Sequence, residues 1–190
     1  MSAARTGVLL VPNGMRGNFA APAASVRLGS SANGSGWSNT PVNLELSASD
    51  SGVGIAELRY WMDDGVVNVA HGESASLTLA SEGAYSVGLR AIDNAGYVSQ
   101  PATQVVRIDL HPPVVTVTGV RQGASYPVGR VPVAGCSTSD ALSGVATKAT
   151  LTVRGGSGHF TATCSGASDN AGNAAGPVSV TYNVVRSGSR

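Results

Sequence analysis

Two short stretches of this chain occur twice, in the same order. Ser47-Ala48-Ser49-Asp50-Ser51-Gly52-Val53 precedes Asp93-Asn94-Ala95-Gly96. Ser137-Thr138-Ser139-Asp140, two inserted residues (Ala141, Leu142) and Ser143-Gly144-Val145 precede Asp169-Asn170-Ala171-Gly172. An ordered pair of motifs found twice means two copies of one supersecondary module. A length of 190 residues admits one or two domains. The repeat decides for two, each small but within the range that folds alone. The expected division is an irregular N-terminal arm over 1–36, a first module over 37–110, a second over 111–186 and a tail over 187–190.

Period-two alternation runs through both copies. Val42, Leu44, Leu46 and Ala48 alternate with Asn43, Glu45 and Ser47; Leu58, Tyr60 and Met62 alternate with Glu57, Arg59 and Trp61. Tyr85, Val87, Leu89 and Ala91 give the longest run, and further strands are expected around Leu77–Leu79 and over 103–108. This is the pattern of half-buried strands. Asp63-Asp64-Gly65 reads as a hairpin turn. The second copy repeats the pattern at Val115–Thr118, Val131–Cys136, Ala149–Val153, Phe160–Cys164 and Val178–Val184. Short strands with turn signals every 8–12 residues or so indicate an all-β fold of two tandem immunoglobulin-like β-sandwiches. Asp50 to Asp93 is 43 residues and Asp140 to Asp169 is 29, so the second copy lacks 14, read as one middle strand with its loop. His111-Pro112-Pro113 is the linker. Breakers crowd the arm, where only Val8-Leu9-Leu10-Val11 suggests a strand.

Charge is low and unevenly spread. Residues 1–36 carry three arginines and no acid, 37–110 nine acids against three arginines, and 111–190 six bases against two acids. No segment has the Lys/Arg stripe of a nucleic-acid binder, and no apolar run approaches a membrane span. Val8–Val11 is too short for a secretory h-region. Either the chain is a piece of a longer secreted protein or it leaves the cell by another route; the piece is the reading adopted.

Cys136 lies on the strand leading into the first motif of its module and Cys164 on the strand leading into the second. In an immunoglobulin-like sandwich those strands face each other across the core, within bridging reach. A disulfide closing 28 residues adds about 3–4 kcal/mol on the loop-entropy model and implies an oxidising compartment. The alternative is two buried thiols.

Catalysis needs a nucleophile beside a base, paired carboxylates in a cleft, or a metal cage. His71 (in a loop), His111 and His159 are dispersed, and Gly155-Gly156-Ser157-Gly158 lacks the Lys of a phosphate loop and reads as a hairpin. No catalytic residue is expected. Asn33-Gly34-Ser35 fits a glycosylation sequon, a triplet common by chance.

The aspartates carry more. The turns holding Asp50 and Asp93, and those holding Asp140 and Asp169, should meet at one end of each sandwich. In the second module that end faces the linker, which brings in Asp109. Two readings stand: a calcium ion held by Asp50, Asp93, Asp109, Asp140 or Asp169 with loop carbonyls, or carboxylates that cap their own turns by accepting backbone N–H bonds. Trp61 points outward with Glu57 and Arg59, next to Gly88 and Arg90 on the neighbouring strand. It either stacks on a sugar ring together with Arg90, or packs over Gly88 with Arg90 across it.

These residues also carry a family resemblance. Trp37 with Pro41-Val42, Leu44, Ser49-Asp50-Ser51-Gly52-Val53, Tyr60, Asp64-Gly65, Glu82-Gly83, Arg90-Ala91 and Asp93-Asn94-Ala95-Gly96 resembles the bacterial Ig-like module of OmpL47 type. Tyr97 departs from it, since Asn usually follows there. Gly135-Cys136-Ser137, Ser139-Asp140 through Ala146, Thr163-Cys164-Ser165-Gly166 and Asp169 through Asn173 resemble a related Ig-like repeat. The resemblance covers about residues 37–186 and implies a non-catalytic spacer, adhesive or interaction module of a secreted or surface protein. Its partners would be other domains of a longer polypeptide, surface proteins or glycans. A carbohydrate-binding accessory to a secreted hydrolase, or a virion or surface-layer decoration protein, are the competing classes.

Overall fold

A computed structural model describes residues 20–29 and 32–186. It is all-β. Val8–Val11 and the 187–190 tail lie outside the described residues. By contact the chain divides into two compact units, one of Met1–Val26, Leu46–Ala75 and Gly88–Thr103, the other of Arg27–Glu45, Ser76–Val87 and Gln104–Arg190.

Among the described residues, seven strands precede the Pro-Pro linker: β1 (Ala23–Leu28), β2 (Val42–Ser49), β3 (Ile55–Met62), β4 (Asn68–His71), β5 (Ser74–Leu79), β6 (Gly83–Asp93) and β7 (Ala102–Ile108). They form two sheets, in the orders β1-β2-β5 and β4-β3-β6-β7. The alternation seen in sequence is realised. Val42, Leu44, Leu46, Leu58, Val87, Leu89 and Ala91 are buried while Asn43, Glu45 and Arg59 are exposed. The Asp63 turn closes with Gly65 N–H donating to the Met62 carbonyl at 2.9 Å and Asp63 itself at φ 50°.

Two expectations change here. The arm is not irregular throughout, because Ala23–Leu28 pairs as the edge strand β1. Its short Val26/Leu28 alternation sits between Pro22 and Gly29, whose breaker signal dominates the local reading. His71 ends strand β4, opposite Glu57, rather than lying in a loop.

The remaining strands are β8 (Val114–Thr118), β9 (Ser125–Pro127), β10 (Gly135–Ser139), β11 (Val145–Thr147), β12 (Thr150–Gly156), β13 (His159–Ser165), β14 (Ser168–Asp169) and β15 (Val178–Val185). β8 pairs with β10, and a second sheet runs β12-β13-β15-β9, its β9–β15 edge parallel. β11 and β14 pair within the turns themselves. The strand expected at Val131–Cys136 starts only at Gly135, since Pro132 cannot join a central ladder.

β12 passes into β13 through the Gly155–Gly158 hairpin, so β4 and β5 both lack counterparts, not one middle strand. The core there is small. Val115, Cys164 and Ala167 form one cluster, with Cys136 packed on it. Val120, Ala162 and Tyr182 form another. Tyr182 stacks on Phe160 at 5.7 Å and meets Tyr126 edge-on at 5.9 Å, contacts that add about 0.5–1.5 kcal/mol each beyond burial. Cys136 and Cys164 are joined as a disulfide, with Cα atoms 5.7 Å apart.

Candidate functional site

The repeated motifs fold into congruent turns. In the first copy, Gly52, Val53 and Gly54 N–H donate to Asp50 Oδ2 at 2.8, 2.8 and 3.1 Å, and Ala95 and Tyr97 N–H donate to Asp93 Oδ1 at 2.9 and 2.8 Å. Asn94 ties the turns together, its N–H on the Gly54 carbonyl at 3.0 Å and its Nδ2 on the Val53 carbonyl at 2.8 Å. In the second copy, Asn170 bonds the carbonyls of Gly144 (2.9 Å) and Ser143 (2.8 Å) in the same way. Asp140 Oδ1 accepts from Leu142 at 3.1 Å and Gly144 at 2.6 Å, and Asp169 Oδ1 from Gly172 at 2.7 Å and Asn173 at 2.8 Å. Gly54 is therefore the counterpart of Gly144, and the two loops have equal length without the two inserted residues read from sequence. Both glycines hold φ near +80° (78° and 81°), a left-handed turn that a side chain would strain.

The turns differ in what joins them. Asp109, Asp140 and Asp169 each bring a carboxylate oxygen within 4.8 Å of the others, with Asp109 and Asp169 only 1% and 2% exposed. Asp50 and Asp93 belong to no such group of three among the described residues. Asp109 is bound where the linker begins: Ser143 N–H donates to its Oδ2 at 3.0 Å and His111 N–H to its Oδ1 at 3.2 Å. Asn173 Nδ2 donates to the carbonyls of Asp109 (2.9 Å) and His111 (3.3 Å) and to Asp169 Oδ2 (2.7 Å). Every one of the five aspartates accepts backbone N–H bonds; Asp50, Asp93, Asp140 and Asp169 cap their own turns, while Asp109 also accepts from Ser143 in another turn.

Sequence reasoning did not single out Ser143, Asn173 or Glu82. Asn173 stands directly after the second motif, at the position Tyr97 fills in the first, and that contrast was the available signal. Glu82 Oε2 lies 2.6 Å from His111 Nδ1, and this hydrogen bond and charge raise the His111 pKa above its usual 6.5, with a smaller push from Asp109. Asn33 of the sequon donates from Nδ2 to the Asn170 carbonyl at 2.7 Å while its Oδ1 accepts from Ser35 and Trp37.

Trp61 lies on Gly88. A Cβ built on Gly88 would collide with Cε2, Cζ2 and Nε1 of the indole together, so the ring crosses the β6 backbone. Gly88 is buried although it faces outward. Trp61 and Arg90 then line one open groove of about 800 Å³ with Glu57, Arg59, Asp64 and Val69. Arg59 and Glu57 pair at 2.6 Å.

No protein-family model matches the chain, and no curated protein matches it. Among solved structures it is similar to the fibronectin(III)-like modules of Clostridium thermocellum CbhA, at 16% identity over 85% of this chain and 94% of that one, with a TM-score of 0.40. At that level the likeness carries no functional information. The chain's own strand order supports Ig-like β-sandwiches; the finer OmpL47-type resemblance stands on the motifs alone.

Proposed function

We propose that the chain is a non-catalytic spacer or interaction module of a bacterial secreted or surface protein. The observation that carries this reading is the fastening of the linker. Asp109 and His111 are held through both backbone and side-chain groups by Ser143 and Asn173, from the two turns of the second repeat. Pro112 and Pro113 then restrict φ where the chain passes into β8. A spacer works by keeping such a segment from rotating freely, and the buried Asp109, whose carboxylate accepts two backbone N–H bonds and whose carbonyl accepts one amide bond, does this without any reactive group. The disulfide supports an oxidising, extracellular compartment.

Amide hydrogen exchange tests the reading. His111 N–H is expected to be protected in the wild type and to lose about tenfold protection in Asn173→Ala. Exchange at the rate of an unstructured peptide in the wild type would remove the spacer reading.

A further inference from the structure

We infer that the groove on the outward face of β3, β4 and β6 binds a neutral polysaccharide chain, with Trp61 as its stacking platform. This goes beyond the spacer reading and does not depend on it. The floor is built by register: Glu57, Arg59 and Trp61 point outward from β3, and Val69 lies opposite Arg59 on β4. Gly88 leaves room for the indole to lie across the sheet. One ring face is thereby spent on the β6 backbone, and the half-buried ring presents its other side to the groove.

The walls are apolar and wet. Val67, Val69 and Val98 are each about half exposed (52%, 52% and 46%) beside this indole. The rim is polar and balanced, with Arg59 and Arg90 against Glu57 and Asp64. Glu57 fixes the Arg59 guanidinium through contacts of 2.6 and 2.7 Å. Among the described residues, the side chains of Arg90 and Asp64 make no hydrogen bond or ion pair.

That combination selects a ligand class. The ligand needs a flat C–H face for the indole, and hydroxyls that can accept from a guanidinium and donate to a carboxylate. A pyranose chain offers both at once. A purely apolar peptide would leave Arg90 and Asp64 desolvated and unpaired. A polyanion would set its charges against Glu57 and Asp64 with only two arginines to compensate. The volume lies within the usual range for ligand sites.

The test uses the full chain in affinity electrophoresis through gels containing soluble hydroxyethylcellulose, xylan, glycol chitin or amylopectin, with heparin as the anionic counterpart. Retardation by at least one neutral polymer is expected. Trp61→Ala should weaken it by at least about tenfold, with a lowered melting midpoint but a retained fold, and Arg90→Ala by about threefold with an unchanged midpoint. Because Trp37 and Trp61 are the only tryptophans, a Trp37→Phe chain reports on Trp61 alone, and its fluorescence should shift on adding the retarding polymer. If Trp61→Ala does not fold, Arg90→Ala and the fluorescence shift decide. Retardation by none of the neutral polymers, retardation unaffected by both substitutions, or retardation by heparin alone would each overturn the inference. All of these outcomes leave linker hydrogen exchange untouched, so a failure here and a failure of the spacer reading are distinguishable.

Discussion

The strands before the linker and those after it share one turn design and differ in almost everything that the turns hold together. Before the linker, β2, β3 and β6 bury leucines, valines and isoleucine to below 10% exposure, without a cysteine. After it, β4 and β5 have no counterparts, and the buried residues are mostly alanine, valine and a half-cystine. The loss shows on β12. Leu151 and Val153 pair with Cys164 and Ala162, which are fully buried, yet remain 37% and 44% exposed themselves. Directly paired residues share a sheet face, so these two point to the inner side with nothing among the described residues fully covering them. A covalent link stands where the apolar contacts are thin. The lesson is that a motif repeat conserves the corner of a fold while its middle is free to shrink, provided another constraint replaces the lost burial.

The comparison can be broken most forcefully at the cystine. Replacing Cys136 and Cys164 by alanine should cost about 3–4 kcal/mol and unfold the β8–β15 region first, seen as early loss of protection on β13 and β15 in hydrogen exchange. Equal loss before and after the linker would mean that the bridge does not compensate for the small core. Next come the caps. Asp169→Ala removes a buried acceptor from Gly172, Asn173 and the Asn173 side chain and should cost about 2–3 kcal/mol in denaturant melts, against about 1 kcal/mol for the more exposed Asp50→Ala.

Exchanging the residue after each motif tests the turns more finely. Asn173→Tyr should cost about 1–2 kcal/mol through the lost bonds to Asp109, His111 and Asp169, whereas Tyr97→Asn should stay within about 0.5 kcal/mol. Calcium addresses the same corner. All five aspartates accept backbone N–H bonds, and on that basis millimolar calcium is expected to leave the melting midpoint unmoved. A rise abolished by Asp140→Asn would instead assign Asp109, Asp140 and Asp169 to a cation.

The smallest effect is a proton. His111 gains its Glu82 partner on folding, so its folded pKa lies above the unfolded one. Stability from this pair is fully present below about pH 6.5 and is lost as pH rises through the raised folded value. Both side chains are largely exposed, so the gain is slight. NMR titration of His111 should give a midpoint above 6.5 that returns toward it in Glu82→Gln.

How much of this was legible follows from signal length. Eight-residue alternations such as Val42–Ser49 and the eleven residues of β6 announce their buried faces, and the disulfide and the Asp109 encounter follow from placing those strands in a sandwich. β9 is three residues long, with Pro127 in it, and is held by pairing with β15 far along the chain. β4 is four residues whose valine and alanine carry no alternation that stands out from a loop. The sequence hides the equal loop lengths because Ser-Gly-Val can be matched at two offsets, and only the Asn94 and Asn170 hydrogen bonds pick the right one. Period alone places Trp61 outward; the groove around it depends on β4, which the pattern does not reveal.

The parallel pair of β9 and β15 gives the second repeat a mechanical character. Ser125–Pro127 runs beside Asn183–Val185 in the same direction, continued by Gly123 N–H on the Thr181 carbonyl at 2.8 Å and Val128 N–H on the Val185 carbonyl at 3.0 Å. Tension applied between the linker and the C-terminal end of β15 therefore loads this set in shear, so its bonds must yield together rather than unzip one at a time. If they do yield, the cystine still withholds the 28 residues from Cys136 to Cys164, roughly 95 Å of contour, from extension. Stretched in this way, the second repeat lengthens in a limited step and stops.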